Sequence, residues 1–139
     1  MRKYMPTFAE LIDRMNICQL KAVFIHQNKK EYEKEIRDII HDINIMIKTI
    51  KIKDYGNFIR AIGVNMLTNR VIWENESKAR SGGCEQDKLL KLTHSINGVR
   101  NNSKNVISQM LGERKDLKTD CLAAEFILNK GYGDWQIWT

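Results

Sequence analysis

Residues 58–80 read FIRAIGVNMLTNRVIWENESKAR, and this stretch decides the fold because its apolar residues recur at helical spacing. Phe58, Ile62 and Met66 share one face of such a helix, since side chains four residues apart lie one above the other. The same stripe continues through Asn69, Trp73, Glu76 and Arg80. Burying polar side chains without hydrogen-bond partners is costly. The polar half of the stripe, from Asn69 to Arg80, therefore predicts either an internal hydrogen-bonded network or the wall of a ligand pocket.

The rest of the chain is helical in pattern too, with one proline in 139 residues and few glycines inside periodic stretches. We predict helices at about 7–26, 30–50, 57–80, 86–111 and 119–129. Residues 7–10, TFAE, have the form of a capping box, and Gly112 is a natural helix stop. The prediction is an all-α fold, a four-helix bundle with a short fifth helix and an aromatic C-terminal tail.

Helical periodicity also predicts which residues face inward. They are Phe8, Leu11, Ile12, Met15 and Val23 in the first helix, Tyr32, Ile36, Ile39, Ile40, Ile43 and Ile47 in the second, and Leu89, Leu92, Ile96, Val99, Ile107 and Met110 in the fourth. Ile45 falls among polar residues. We expect one domain over residues 1–139, with a flexible joint at about 81–85 and the tail at about 130–139.

The net charge of +6 is placed unevenly along the chain. Residues 78–118 hold nine lysines and arginines against four acids. Such a region attracts anions, whether nucleotide phosphates, nucleic acid or acidic protein surface, although a solvated helix face has the same composition.

Composition also argues against several classes of protein. The three cysteines, Cys18, Cys84 and Cys121, have neither disulfide-framework nor zinc-site spacing, so we expect reduced thiols. No long apolar run or leader pattern is present, which favours a cytoplasmic protein without a membrane partner. There is no phosphate-binding glycine loop and no nucleophile motif, so we assign no catalytic residue, metal or cofactor.

Three groups of polar residues could carry chemistry. The first helix offers Glu10, Asp13, Arg14 and Lys21, in which the acid pair suits magnesium and Glu10 also suits the capping box. The third helix offers Asn69, Trp73, Glu76 and Arg80, where the indole could stack a base or simply belong to the core. The fourth helix offers Asn97, Arg100, Asn101, Lys104 and Asn105, which suit anion recognition or bridges within the bundle.

Three blocks of the chain resemble a family of short, all-helical bacterial and phage proteins of unknown function. They are ELIDRMNICQLK at 10–21, NRVIWENESKAR at 69–80 and NGVRNNSKNVI at 97–107. The chain departs from the family at Asn75, where the family favours an apolar residue, and the tail after about Leu122 has no counterpart in it. The resemblance implies helices and a common site, and it implies no activity.

These observations favour an oligomeric binding module for a phosphate-bearing small molecule. Its expected ligand-binding residues are Asn69, Trp73, Glu76, Arg80, Asn97, Arg100, Asn101, Lys104, Asp13 and Lys21. By analogy of size and helicity, it could be a phage sponge that sequesters a cyclic nucleotide used in bacterial immune signalling. Two alternatives are a magnesium-dependent nucleotide pyrophosphohydrolase using Glu10, Asp13 and Glu76, and a structural or protein-interaction bundle. Nucleic acid is a less favoured partner.

Overall fold

The computed structural model describes residues 3–82 and 86–114 of the chain. Four α-helices account for most of this part, and no strand occurs within it. The helices are α1 (Phe8–Phe24), α2 (Lys29–Met46), α3 (Tyr55–Arg80) and α4 (Gln86–Met110). The all-α prediction is therefore confirmed, and each helix boundary lies within four residues of its predicted position.

Helix α1 begins at the predicted capping box. The Thr7 hydroxyl accepts a hydrogen bond from the backbone N–H of Glu10 at 3.1 Å, and the Glu10 carboxylate accepts one from the backbone N–H of Thr7 at 2.8 Å. These bonds satisfy backbone N–H groups that a helix start otherwise leaves without partners. The helix ends at Ile25, whose backbone is extended.

Helix α2 packs on α1 alone among the described helices. Ile39 is its buried residue, while Tyr32, Ile36 and Ile43 are half-buried. The prediction that Ile40 and Ile47 face inward is wrong, since both are exposed. A helix with only one neighbour buries a narrower stripe than one inside a bundle.

Helices α3 and α4 run antiparallel and form the most extensive helix pair. Residues close to the turn between them include Gly82, which has a φ of +75°. Their facing stripes contain small or medium side chains, which are Ala61, Thr68 and Ile72 on α3 and Ile96, Val99, Ser103 and Ile107 on α4. This mixture of small and larger side chains lets the ridges of one helix pack into the grooves of the other.

Helix α1 lies along this pair and runs parallel to α3. Phe8 contacts Phe58 near the start of both helices, with ring centroids 6.1 Å apart, and Phe24 stacks on Trp73 near their far ends. The core therefore lies between α1, α3 and α4, and Ile43 and Met46 of α2, which contacts α1, pack against this core. A helical bundle is therefore supported, while the more specific prediction of a four-helix bundle with a short fifth helix and an aromatic tail is not confirmed.

The predicted fifth helix and the aromatic tail fall outside the described residues. Within residues 3–82 and 86–114, no helix is both long enough and apolar enough to cross a membrane.

Candidate functional site

A cluster of polar side chains lies between α1, α3 and α4, in a position that apolar residues occupy in most helical cores. We call it the polar cluster. It consists of Asp13 and Asn16 from α1, Asn65 and Asn69 from α3, and Arg100 and Ser103 from α4. All of them except Arg100 are buried. Buried polar groups persist only where hydrogen bonds offset their desolvation, so the geometry of these bonds decides what the cluster can do.

Asn65 is the centre of the polar cluster. Its Nδ2 donates to Asp13 Oδ1 at 3.0 Å and to Ser103 Oγ at 3.2 Å. Its Oδ1 accepts from Asn16 Nδ2 at 2.9 Å and from Asn69 Nδ2 at 3.0 Å. A primary amide offers two N–H donors and two oxygen lone pairs, so the hydrogen-bonding capacity of Asn65 is fully used.

Asp13 supplies the negative charge of the polar cluster. Its Oδ1 also accepts a hydrogen bond from Asn69 Nδ2 at 2.9 Å. The Nε of Arg100 lies 3.7 Å from the same oxygen, close enough for electrostatic attraction and too far for a hydrogen bond. The Asp13 carboxylate is therefore held mainly by amide N–H donors, and the Arg100 guanidinium makes no hydrogen bond to it.

Arg100 is the least satisfied member of the polar cluster. Its side chain is 23% exposed, and one Nη donates to Asn69 Oδ1 over a long 3.4 Å. Its buried Nε has no hydrogen-bond partner among the described residues. A guanidinium carries five N–H donors in a planar fork, so this arginine keeps donor capacity that a bound anion could use.

The structure brings together only part of the predicted site. Asp13, Asn69 and Arg100 meet in the polar cluster, and Asn101 is buried on the same helix as Arg100. Asn97 and Lys104 lie one turn to either side of Arg100 on α4, and both are half-buried.

Three other predicted residues lie elsewhere. Glu76 and Arg80 are exposed on the last turns of α3. The Nζ of Lys21 lies 5.8 Å from the ring centroid of Tyr32, which places Lys21 at the contact between α1 and α2. The stripe that began at Phe58 therefore leaves the interior after Trp73.

Trp73 is half-buried, and it lies one helical turn beyond Asn69. Its ring stacks on Phe24, with centroids 5.4 Å apart and planes 28° from parallel. The guanidinium carbon of Arg70 lies 5.0 Å from the centroid of the same phenyl ring. The indole thus belongs to an aromatic contact between α1 and α3, at the end of the polar cluster nearest the C-terminus of α1.

The acids proposed for magnesium do not form one group. Glu10 takes part in the capping box and lies 3.2 Å from Arg114, while Asp13 faces the polar cluster and Glu76 is exposed. Within the described part of the chain, no group of three or more His, Cys, Asp or Glu side chains is placed to hold a metal ion.

Sequence reasoning missed three members of the polar cluster, Asn16, Asn65 and Ser103. Asn65 precedes Asn69 by four residues, and Asn16 follows Asp13 by three. Those spacings put each pair on one helix face, so a search for paired polar residues on apolar helices would have found two of the three.

A separate charged contact joins α1 to α2. Arg14 Nε lies 2.6 Å from Glu35 Oε1, and this hydrogen bond holds the pKa of Glu35 below its ordinary value. Burial raises the pKa of the nearby Cys18 thiol, and the Glu35 carboxylate raises it further. Cys18 is buried and is a free thiol, while Cys84 and Cys121 lie outside the described residues.

No protein-family model matches the chain, and no curated protein or solved structure matches it either.

Proposed function

We propose that the protein is a binding module for a phosphate-bearing small molecule, with Arg100 as the main anion-binding residue. The observation that carries this proposal is the incomplete hydrogen bonding of its largely buried guanidinium. Phosphate oxygens fit the arginine fork in a bidentate manner, and charge-assisted bonds of this kind are about twice as strong as neutral ones. A phosphate beside Arg100 would therefore supply hydrogen-bond acceptors for the guanidinium N–H groups that have no partner among the described residues.

Neighbouring residues add charge and polar groups to this position. Lys104 lies one turn further along α4 and contributes a second positive charge. Asn97 offers an amide that can donate to or accept from a polar ligand edge, and the Asn69 oxygen keeps an acceptor lone pair beside Arg100. The negative charge of Asp13 cancels one of the two positive charges of Arg100 and Lys104. A ligand with more than one negative charge therefore binds most tightly when it contacts both of these cations.

Trp73 favours a nucleotide over simple phosphate. Its indole lies one turn from Asn69, and stacking a base on an aromatic side chain contributes about 1–3 kcal/mol. Together with the analogy to small phage sponges in size, helicity and anion-binding residues, this supports a more specific proposal. The protein would act as an oligomeric sponge that sequesters a cyclic nucleotide immune signal without converting it.

Isothermal titration calorimetry on the full chain tests the proposal, with cyclic mononucleotides, cyclic dinucleotides and inorganic phosphate as probes. We expect binding of at least one cyclic nucleotide, weakened more than tenfold by Arg100→Ala and by Lys104→Ala. Arg37→Ala, at an exposed position of α2, is the matched control and should bind normally. Circular dichroism of each variant confirms that the fold is intact. No heat with any probe, or equal binding by all variants, would exclude the proposal.

The same samples separate a sponge from an enzyme. After incubation with Mg²⁺, the nucleotide should be recovered intact from the complex. In a parallel incubation with a nucleoside triphosphate, hydrolysis to nucleoside monophosphate and pyrophosphate that depends on Mg²⁺ and is lost in Glu76→Gln would instead establish the pyrophosphohydrolase alternative.

A purely structural role is the second candidate, and Asn65 supports it. All four hydrogen-bonding positions of this amide are occupied by neighbouring protein groups. In this case the polar cluster only orients α1, α3 and α4, and neither nucleotide nor phosphate binds in the calorimetry described above.

A further inference from the structure

An apolar groove lies on the surface between the C-terminal third of α1 and the middle of α3. Its volume is about 340 Å³, and its lining consists of Gln19, Leu20, Val23, Phe24, Met66, Leu67 and Arg70. Val23 is 68% exposed and Leu67 is 58% exposed. The prediction that Val23 faces inward is therefore wrong. Apolar side chains gathered in one concave surface, unlike single exposed ones, indicate an interaction site.

The chain itself contains a segment that matches this groove. Residues 131–138 read GYGDWQIW, in which Trp135, Ile137 and Trp138 provide large apolar side chains. Asp134 provides an acid directly beside the first tryptophan. The rim of the groove carries Arg70, whose Nε donates to Glu74 at 3.0 Å, so the segment and the groove are complementary mainly in hydrophobicity.

The length of the intervening chain allows the two to meet. Arg114, the last described residue, donates a hydrogen bond to the backbone oxygen of Met5 and lies beside Glu10, at the start of α1. The groove begins near Leu20, about 15 Å further along α1 at 1.5 Å per residue. Trp135 follows Arg114 by 21 residues. A chain of that length reaches about 70 Å when extended, far beyond the distance required.

We propose that residues 131–138 dock in the groove of their own chain, with the tryptophans against Leu67 and Val23 and Asp134 near Arg70. Burial of apolar area contributes about 25 cal/mol per Å², and each tryptophan buries about 150–250 Å² when packed. Tethering raises the effective concentration of the segment to the millimolar range, so even a weak contact is occupied. Docking would cover Phe24, whose ring also stacks on Trp73. This inference does not depend on the nature of the ligand.

Fluorine NMR of the full chain labelled with fluorotryptophan tests the proposal. The chain contains three tryptophans, so three signals are assigned by single Trp→Phe substitutions. We expect the Trp135 and Trp138 signals to lie away from their positions in urea and to return there in Leu67→Asp. Circular dichroism reports whether the variant is still folded, because Trp73 stacks on Phe24 of the groove and its own signal would respond to docking.

Leu90→Asp is the matched control, because Leu90 is 53% exposed and does not line the groove. It should leave the signals of Trp135 and Trp138 unchanged. Signals at the unfolded position in the unsubstituted chain, or equal responses to both substitutions, would overturn the proposal. If the signals move toward the unfolded position on dilution, the occupant is the segment of a second copy, and the intramolecular placement is wrong.

Discussion

The Asn65 side chain of α3 donates a hydrogen bond to the Asp13 carboxylate of α1 at 3.0 Å, in the buried space that both helices share with α4. This contact makes the core of the protein partly polar. It also ties the candidate anion site to the stability of the fold, since Arg100 lies 3.7 Å from the same carboxylate and donates to Asn69.

Removing the central amide should destabilise the protein strongly. Asn65→Ala removes one hydrogen bond from each of Asp13, Asn16, Asn69 and Ser103, and a single hydrogen bond contributes about 0.5–1.5 kcal/mol to stability. Water entering the vacated space replaces some of the lost hydrogen bonds. We therefore expect a loss of about 2–4 kcal/mol in the free energy of unfolding, measured in urea. Asn102→Ala, at an exposed position of α4, should change it by less than about 0.5 kcal/mol. A small effect at Asn65 would contradict the observed network.

The contribution of the capping box at the start of α1 to the stability of the protein should also be measurable. Thr7→Ala removes the hydroxyl that accepts from the Glu10 backbone, so we expect a loss of about 1 kcal/mol in the free energy of unfolding. Thr7→Ser keeps the acceptor and should lose less. Thermal unfolding followed by circular dichroism compares the two, and equal losses would show that the hydroxyl is not what matters.

Substitution by alanine should change the stability of the protein in opposite directions at two glycines. Gly112 has a φ of +67°, so Gly112→Ala forces a side chain into the left-handed region and should destabilise by about 1 kcal/mol. Gly63 lies inside α3, and a Cβ added there meets no atom within 4 Å. Gly63→Ala should therefore stabilise by about 0.5–1 kcal/mol, in line with helix propensity. Urea midpoints measured side by side give both signs, and a shift of the same sign would contradict this assignment.

The Arg14–Glu35 contact predicts a specific pH dependence. Because the pKa of Glu35 is lower in the folded state, the ion pair stabilises the protein above the ordinary glutamate pKa of about 4.3. That contribution disappears as the pH falls through the lowered value. Both side chains are more than a third exposed, so the effect is below about 1 kcal/mol.

Glu35→Gln should therefore lower stability at pH 7 and match the unsubstituted protein at low pH, measured by urea unfolding across the acid range. Glu33→Gln, two residues away and exposed, is the control and should follow the unsubstituted curve throughout. Identical curves for both variants would show that Arg14 does not stabilise the Glu35 carboxylate.

Much of the fold could be predicted from the sequence because helix formation leaves local signals. Thr7 and Glu10 mark the start of α1, Gly112 follows the end of α4, and periodicity identifies Ile96, Val99 and Ile107 as core. Long-range arrangement leaves no such signal. Ile40 and Ile47 fit an inward stripe as well as Ile39 does, and their exposure follows from α2 packing on α1 alone.

The candidate site was predicted only in part, for a related reason. Periodicity identified Asn69 and Arg100 as polar residues on apolar helix faces. It does not predict over what length a neighbouring helix covers that face. Glu76 and Arg80 share a stripe with Asn69 and are exposed, because that stripe leaves the interior beyond Trp73. Asn65 was missed since it lies on an adjacent stripe that otherwise reads as core.

The polar cluster also fixes how the helices align along their lengths. Hydrophobic side chains can exchange one neighbour for another when a helix slides by a turn, whereas Asn65 would lose its partners on both α1 and α4 in the same movement. Sliding would thus be opposed at a single amide that touches two other helices. We expect this protein to have one alignment of its helices where an all-apolar core of the same shape would permit several.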